Sequence, residues 1–272
     1  MERSLALICG AGTLPARMAA EATRQGWRVV AFTFGDAGGV SAHVERVVPS
    51  RITELAPFLS TLREEGVSAA VLSGKFSVGD IVRDVPQDAD GTARAVAEQA
   101  GSLRDVDLAS AAHGLLHGMG IEVLDPRPFL GEWLPAAGCW TARSPTEMEW
   151  DDVRRGLAVA RLLADAHVGQ TVIVKRGVVV AVETVEGTTD AIRRGTRQGG
   201  AETVIVKAVA RDHDYRFDTP AIGPETLRTA AEGKTAVVAI EAGRVMIVER
   251  EATLRLADAA SIALVSVDGD AR

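Results

Sequence analysis

The chain has 272 residues, 47% hydrophobic and 25% charged, with a net charge of −7. That length exceeds one small domain, and the composition is that of a soluble globular protein. The negative balance argues against a nonspecific nucleic-acid binder, and two isolated cysteines, Cys9 and Cys139, argue against a disulfide framework.

The N-terminal stretch MERSLALICGAG meets glycine too soon for a signal peptide, and no apolar run is long enough for a transmembrane helix. A cytoplasmic location is expected, with peripheral contact at the inner membrane left open.

Residues 5–9 read as a short buried strand, followed by the turn Gly10-Ala11-Gly12-Thr13-Leu14-Pro15 and a helix to about Gln25. In that helix Leu14, Met18 and Ala22 share a face. Residues 27–34 read as a second strand ending at Gly35-Asp36. Strand, glycine turn, helix, strand is a Rossmann-like opening, and such a turn offers amide donors to phosphate through Gly10 and Gly12. Pro15 stands where the dinucleotide fingerprint wants a third glycine.

A helix is expected over 52–65 and a strand over 67–72, with Gly74-Lys75 just beyond it. Ligands of open α/β sheets sit beyond strand C-termini, so Lys75 is a candidate phosphate contact. Helices follow over 93–100 and 103–119, then a strand over 121–124. His113 and His117 have chelating spacing, although a packed helix explains them better because no third ligand accompanies them.

Prolines and glycines crowd 127–146. This breaks regular structure and marks a linker, packed down by Phe129, Trp133, Leu134 and Trp140. A helix over 149–166 follows, with Asp151 and Asp152 suited to its first turn. A hairpin joins 171–174 to 178–185, the second arm being a valine-rich buried strand that runs into Glu183, Glu186, Gly187, Thr188, Thr189 and Asp190. A helical turn with Arg193 and Arg194 comes next. A strand over 203–207, an irregular polar stretch over 211–223, a helix over 226–231, a second hairpin joining 236–240 to 245–248, a helix over 254–260 and a strand over 262–267 complete the chain.

AVE-x-x-EGT at 181–188, DxRFDxPxIG at 214–223 and IEAG at 240–243 resemble the LpxI-type UDP-2,3-diacylglucosamine pyrophosphatases. GxGxLP at 10–15, Gly74-Lys75 and Gly169-Gln170 fit the same pattern in the same order. The resemblance covers nearly the whole chain. It implies an α/β fold with a Rossmann-like N-terminal domain over 1–126, the linker over 127–146 and a family-specific mixed α/β domain over 147–272, with the site between the domains. It also implies a homodimer, Mg2+, and hydrolysis of UDP-2,3-diacylglucosamine to UMP and 2,3-diacylglucosamine 1-phosphate in lipid A synthesis. Two positions depart from the pattern. Thr189 stands at the aspartate of the family's EGTD, with Asp190 one residue later, and Ala210-Arg211 replaces a frequent Lys-Pro.

A pyrophosphate diester repels nucleophiles, so its cleavage needs cations around its oxygens and an activated water. Asp218, Asp190 and Arg216 are the expected catalytic residues, with Asp218, Glu186 and Asp214 as metal ligands. Gly10, Gly12, Thr13, Leu14, Lys75, Gln170, Thr188, Thr189, Arg193 and Lys207 are the expected substrate contacts. No Ser-His-Asp or Cys-His spacing stands out, which favours direct attack by water. Two rival readings are a nicotinamide-dependent oxidoreductase resting on the Gly10 turn, with Asp36 on the ribose, and a noncatalytic nucleotide or lipid sensor.

Overall fold

The computed structural model describes residues 3–76, 90–100, 105–216 and 218–269. The chain divides into two units, 1–130 with 215–218, and 131–214 with 219–272.

The first unit is built on five strands, β1 (Ser4–Cys9), β2 (Arg28–Thr33), β3 (Arg46–Pro49), β4 (Ala69–Ser73) and β5 (Glu122–Val123), in the parallel order β3-β2-β1-β4-β5. β1 is buried along its whole length, as a central strand covered on both faces must be. Helix α1 (Leu14–Arg24) buries Met18, Ala19 and Ala22. Helix α2 (Leu55–Glu64) packs Phe58, Leu59 and Leu62 with Ile8, Val30, Phe32 and Ala70. Helices α3 (Gly91–Ala100) and α4 (Asp105–Gly118) follow; the expected start of α4 at Leu103 lies outside the described residues. His113 and His117 stack, with ring centroids 6.1 Å apart, as the packed-helix reading expects. β3 has no counterpart in the sequence reading, because four residues at a sheet edge give too little pattern.

The second unit holds six strands in the order β6-β13-β11-β9-β7-β8. They are β6 (Gly138–Cys139), β7 (Thr171–Lys175), β8 (Val178–Val182), β9 (Val204–Lys207), β11 (Val237–Glu241) and β13 (Ala263–Val267). β9, β11 and β13 are parallel; β6 and β7 run against them, and β8 runs against β7. Helix α5 (Glu147–Asp165) covers one face, packing Val153, Leu157 and Ala160 with Val172, Val174, Val204 and Val206. Helix α6 (Thr188–Gly199) lies on the opposite face, where a Cβ on Gly195 would come within 2.7 Å of Ile173. Helices α7 (Pro224–Glu232) and α8 (Arg250–Ala259) complete the unit.

Four expectations need correction. The second hairpin does not form: β11 lies parallel between β9 and β13, while β12 (Met246–Ile247) pairs in parallel with β10 (Ala221–Ile222) in a separate small sheet. A turn signal between two apolar runs cannot distinguish a hairpin from strands that separate into different sheets. The region over 127–146 is more than a linker, since β6 pairs antiparallel with β13, and Trp140 Nε1 donates to Ser266 Oγ at 2.7 Å. β8 is an edge strand, not a buried one, and Val178 is 61% exposed. Finally, α5 is opened by a capping box, in which Thr146 and Glu149 bond reciprocally, with Glu147 and Glu149 in its first turn. Asp152 is buried and accepts from the amides of Arg176 and Gly177 at 2.8 and 2.5 Å, so it fixes the β7–β8 turn.

Candidate active site

In the first unit the strand order reverses between β1 and β4, which is where ligands bind in open parallel sheets. The loops after these strands are joined there. Gly10 N donates to Ser73 O, Ala11 N to Lys75 O and Lys75 N to Ala11 O, at 2.8 to 2.9 Å. A Cβ on Gly10 would stand 2.5 Å from Lys75 O, and one on Gly74 would stand 2.8 Å from Ala11 O. Glycine is required at both positions by this close approach. Gly12 has a positive φ of 106° and donates to Asp36 O at 2.9 Å. Thr13 then caps α1 without a side-chain bond, and Pro15 occupies its first turn. Gly10, Gly12, Thr13, Leu14 and Lys75 therefore lie together at the ends of β1 and β4, with Lys75 exposed.

In the second unit a tighter cluster forms where β8 and β9 end. Gly187, at φ 82°, turns the chain into α6. Thr188, the first residue of that helix, donates to Glu183 Oε1 at 2.7 Å and accepts from Lys207 Nζ at 3.2 Å. Gln170 N donates to Glu183 Oε2 at 3.4 Å, and Gln170 O accepts from Ala208 N at 3.0 Å. Gly169 lets this strand start lie against Glu183, since a Cβ there would sit 2.1 Å from the Glu183 carbonyl oxygen. Lys207 is only 8% exposed. A buried ammonium beside the positive end of a helix concentrates positive potential, and the Glu183 carboxylate is linked to it through Thr188. The arrangement suits a phosphate oxygen. Gln170, Thr188 and Lys207 are thus brought together as expected. Glu183 is the member that sequence reading left out of the site; its signal was the AVE motif, which carried the family resemblance but lent no glutamate to the expected contacts.

The other expected residues are placed differently. Thr189 donates to Glu225 Oε1 at 3.3 Å. Asp190 and Arg193 pair at 3.1 Å on the exposed side of α6. Glu186 is bonded by Thr184 and Arg194, and those two groups hold its carboxyl down to about 2. Arg194 also donates to Val182 O at 2.8 Å. Asp214 belongs to the second unit, whereas Arg216 and Asp218 belong to the strip that segregates with the first. Among the described residues no three His, Cys, Asp or Glu side chains gather into a metal-binding group. With Glu186 occupied by an arginine and a hydroxyl, the expected set of Asp218, Glu186 and Asp214 does not fit as a preassembled magnesium site.

The model of the LpxI N-terminal domain matches residues 4–133, and that of the LpxI C-terminal domain matches residues 136–265. The chain belongs to the LpxI family. A curated relative from Caulobacter vibrioides, named UDP-2,3-diacylglucosamine pyrophosphatase LpxI, is 29% identical over 282 residues and covers 99% of both chains. Among solved structures, N5-carboxyaminoimidazole ribonucleotide synthetase from Thermotoga maritima aligns at 12% identity and a TM-score of 0.24, over 70% of this chain and 43% of its own. CobK precorrin-6A reductase aligns at 15% identity and a TM-score of 0.28, over 98% of this chain and 88% of its own. The glycine turn lies within the N-terminal match and the Lys207 cluster within the C-terminal one.

Proposed function

We propose that this chain hydrolyses the pyrophosphate of UDP-2,3-diacylglucosamine, giving UMP and 2,3-diacylglucosamine 1-phosphate in lipid A synthesis. The observation that carries this reading is the buried Lys207 ammonium at the N-terminus of α6, bridged by Thr188 to Glu183, in a chain matched by both LpxI domain models. Lys207 and the first amides of α6 hold phosphate oxygens and draw off charge as the P–O–P bond breaks. Glu183 fixes the Thr188 hydroxyl, which accepts from Lys207 and so holds the ammonium at the start of α6. Water adds its oxygen to one phosphorus, the bridging oxygen departs with the other, and Asp218 takes the proton from the attacking water. Arg216 supplies a guanidinium fork suited to a phosphate oxygen.

Magnesium dependence belongs to this proposal. Mg2+ is commonly held by one or two carboxylates completed by substrate phosphates, so no three-ligand group need preexist. A homodimer and peripheral contact with the inner membrane are parts of the same reading. The acyl chains of the substrate call for an apolar surface, and no helix among the described residues is long and apolar enough to cross a membrane. The test is UMP release from UDP-2,3-diacylglucosamine with magnesium and with excess chelator. Release with magnesium and none with chelator is expected. Tight substrate binding without release under either condition would favour a noncatalytic sensor, and equal release under both would remove the metal.

A further inference from the structure

The segment after β11 holds both ends of the loop that carries the acidic motif. Glu241 ends β11, and its side chain is 2% exposed. One carboxylate oxygen accepts from Arg161 Nη2 at 2.6 Å and from Arg244 Nη1 at 3.4 Å; the other accepts from the Val209 amide at 2.9 Å. Arg244 reaches onward to the carbonyl of Ala210, and Arg161 to that of Gly269. Arg211 is tied as well, since Asp165 accepts from its amide at 2.9 Å and from its Nε at 3.0 Å. At the far end of the loop Met246 N donates to Pro220 O at 2.8 Å, and β10 pairs with β12. One short stretch, 241–247, therefore grips the chain at 209–210 and again at 220–222.

A buried carboxylate is costly unless charges and amides answer it, and this one is answered on both oxygens. The Proposed function assigns it no role. We infer that Glu241 is a positioning residue: through the Val209 amide and Arg244 it sets the exit path of the chain from β9, and so the stem of the loop that bears Asp214 and leads to Asp218. The activity consequence rests on the hydrolase reading above; the structural one does not.

Glu241→Gln keeps the shape but puts a donor where an acceptor stood, so either the Val209 amide or an arginine must face an NH2 group. Hydrogen exchange on the full chain should show the amides of 208–214 opening about tenfold faster or more, while β9, β11 and β13 stay protected. A reacting group displaced by about an ångström costs on the order of 10²-fold. We therefore expect kcat for UMP release to fall roughly 10- to 100-fold with KM within about threefold. Arg244→Gln removes one leg and leaves the Arg161 and Val209 bonds, so it should change both readouts in the same direction by less; it also serves if Glu241→Gln folds poorly. Unchanged exchange over 208–214, or exchange accelerated evenly through the sheet, overturns the inference. Faster exchange in that stem with wild-type kcat overturns its link to turnover. If wild type releases no UMP, the hydrolase reading has failed, and the exchange experiment still decides whether Glu241 sets the stem.

Discussion

Asp218 lies two residues after Arg216 and two before Pro220. Proline confines Thr219 to extended backbone, which stiffens the approach to the carboxylate. As the proposed base, Asp218 should be dispensable for folding and indispensable for rate. Asp218→Ala is expected to keep its thermal midpoint and substrate affinity and to lose on the order of 10²-fold or more in turnover. A mutant that instead lost stability and kept its specific activity would make Asp218 a structural partner of a neighbouring cation. Glu186 makes a contrasting case. The Thr184 hydroxyl first, then the Arg194 guanidinium, lower its carboxyl from the ordinary 4.5 to about 2. Because the folded value is the lower one, its stabilising contribution is complete above pH 4.5 and disappears as pH falls through about 2. Carboxyl NMR should find Glu186 ionised down to about pH 3, and the midpoint difference between wild type and Glu186→Gln should be flat from pH 7 to 5 and close only below that. A carboxyl titrating near 4.5 in the folded protein would break the argument. The residue types at the site were legible in the sequence, but their partners were not. EGT marked Thr188, yet only the folded chain shows that Thr188 reads Glu183 and Lys207 while Thr189 turns to Glu225.

Helix α6 carries the N-terminus proposed to face phosphate, so in that reading its seating on the sheet sets the site's precision. Gly195 makes that seating close, since its missing Cβ would meet Ile173 Cγ1 at 2.7 Å and Cβ at 2.8 Å. Ile173 is fully buried on β7, between β8 and β9, and has no room to withdraw. Gly195→Ala would gain about 1 kcal/mol of helix propensity in an open setting. Overpacking a tight core costs about 1–3 kcal/mol, so the clash should win and the chain should unfold at lower denaturant. A midpoint at or above wild type would show that α6 shifts freely across the sheet. Periodicity located this helix only as a turn around Arg193 and Arg194, because Thr188, Thr189, Arg193, Arg194 and Arg197 hide its narrow buried stripe of Ala191, Ile192 and Gly195. The long amphipathic helix α5 and the buried strands β1, β9 and β13 were legible within a few residues. β8 was misread for the opposite reason: a valine run signals a strand but does not say which neighbour covers it, and here the strand closes the sheet edge.

At the scale of the whole chain, the sequence order of the two units is broken by one strip, 215–218, which leaves the second half to join the first unit. No composition shift announces this, because the strip is four residues of an irregular polar stretch. Its anchor is Tyr215, 4% exposed, with the Arg127 guanidinium 4.3 Å above the ring. Arg127 is itself oriented by Asp125, which accepts from Nε at 3.0 and 2.8 Å. The ring therefore meets a cation held in place by Asp125, and because the Arg127 side chain is 48% exposed the contact is of the weaker, solvated kind. Removing a buried aromatic ring costs about 3–5 kcal/mol, and the lost cation contact adds roughly 0.5–1. Tyr215→Ala should lower the unfolding midpoint of the first unit by several degrees, and it should reduce turnover as well, because Asp218 follows three residues later in the same strip. Tyr215→Phe keeps the ring under the guanidinium and should lose much less of both. Differential scanning calorimetry and UMP release on the two variants give the readouts together. If Tyr215→Ala melts with wild type, the strip contributes nothing to the first unit. If it melts early while turnover per folded molecule is unchanged, the strip is an anchor for the fold alone and Asp218 does not depend on it.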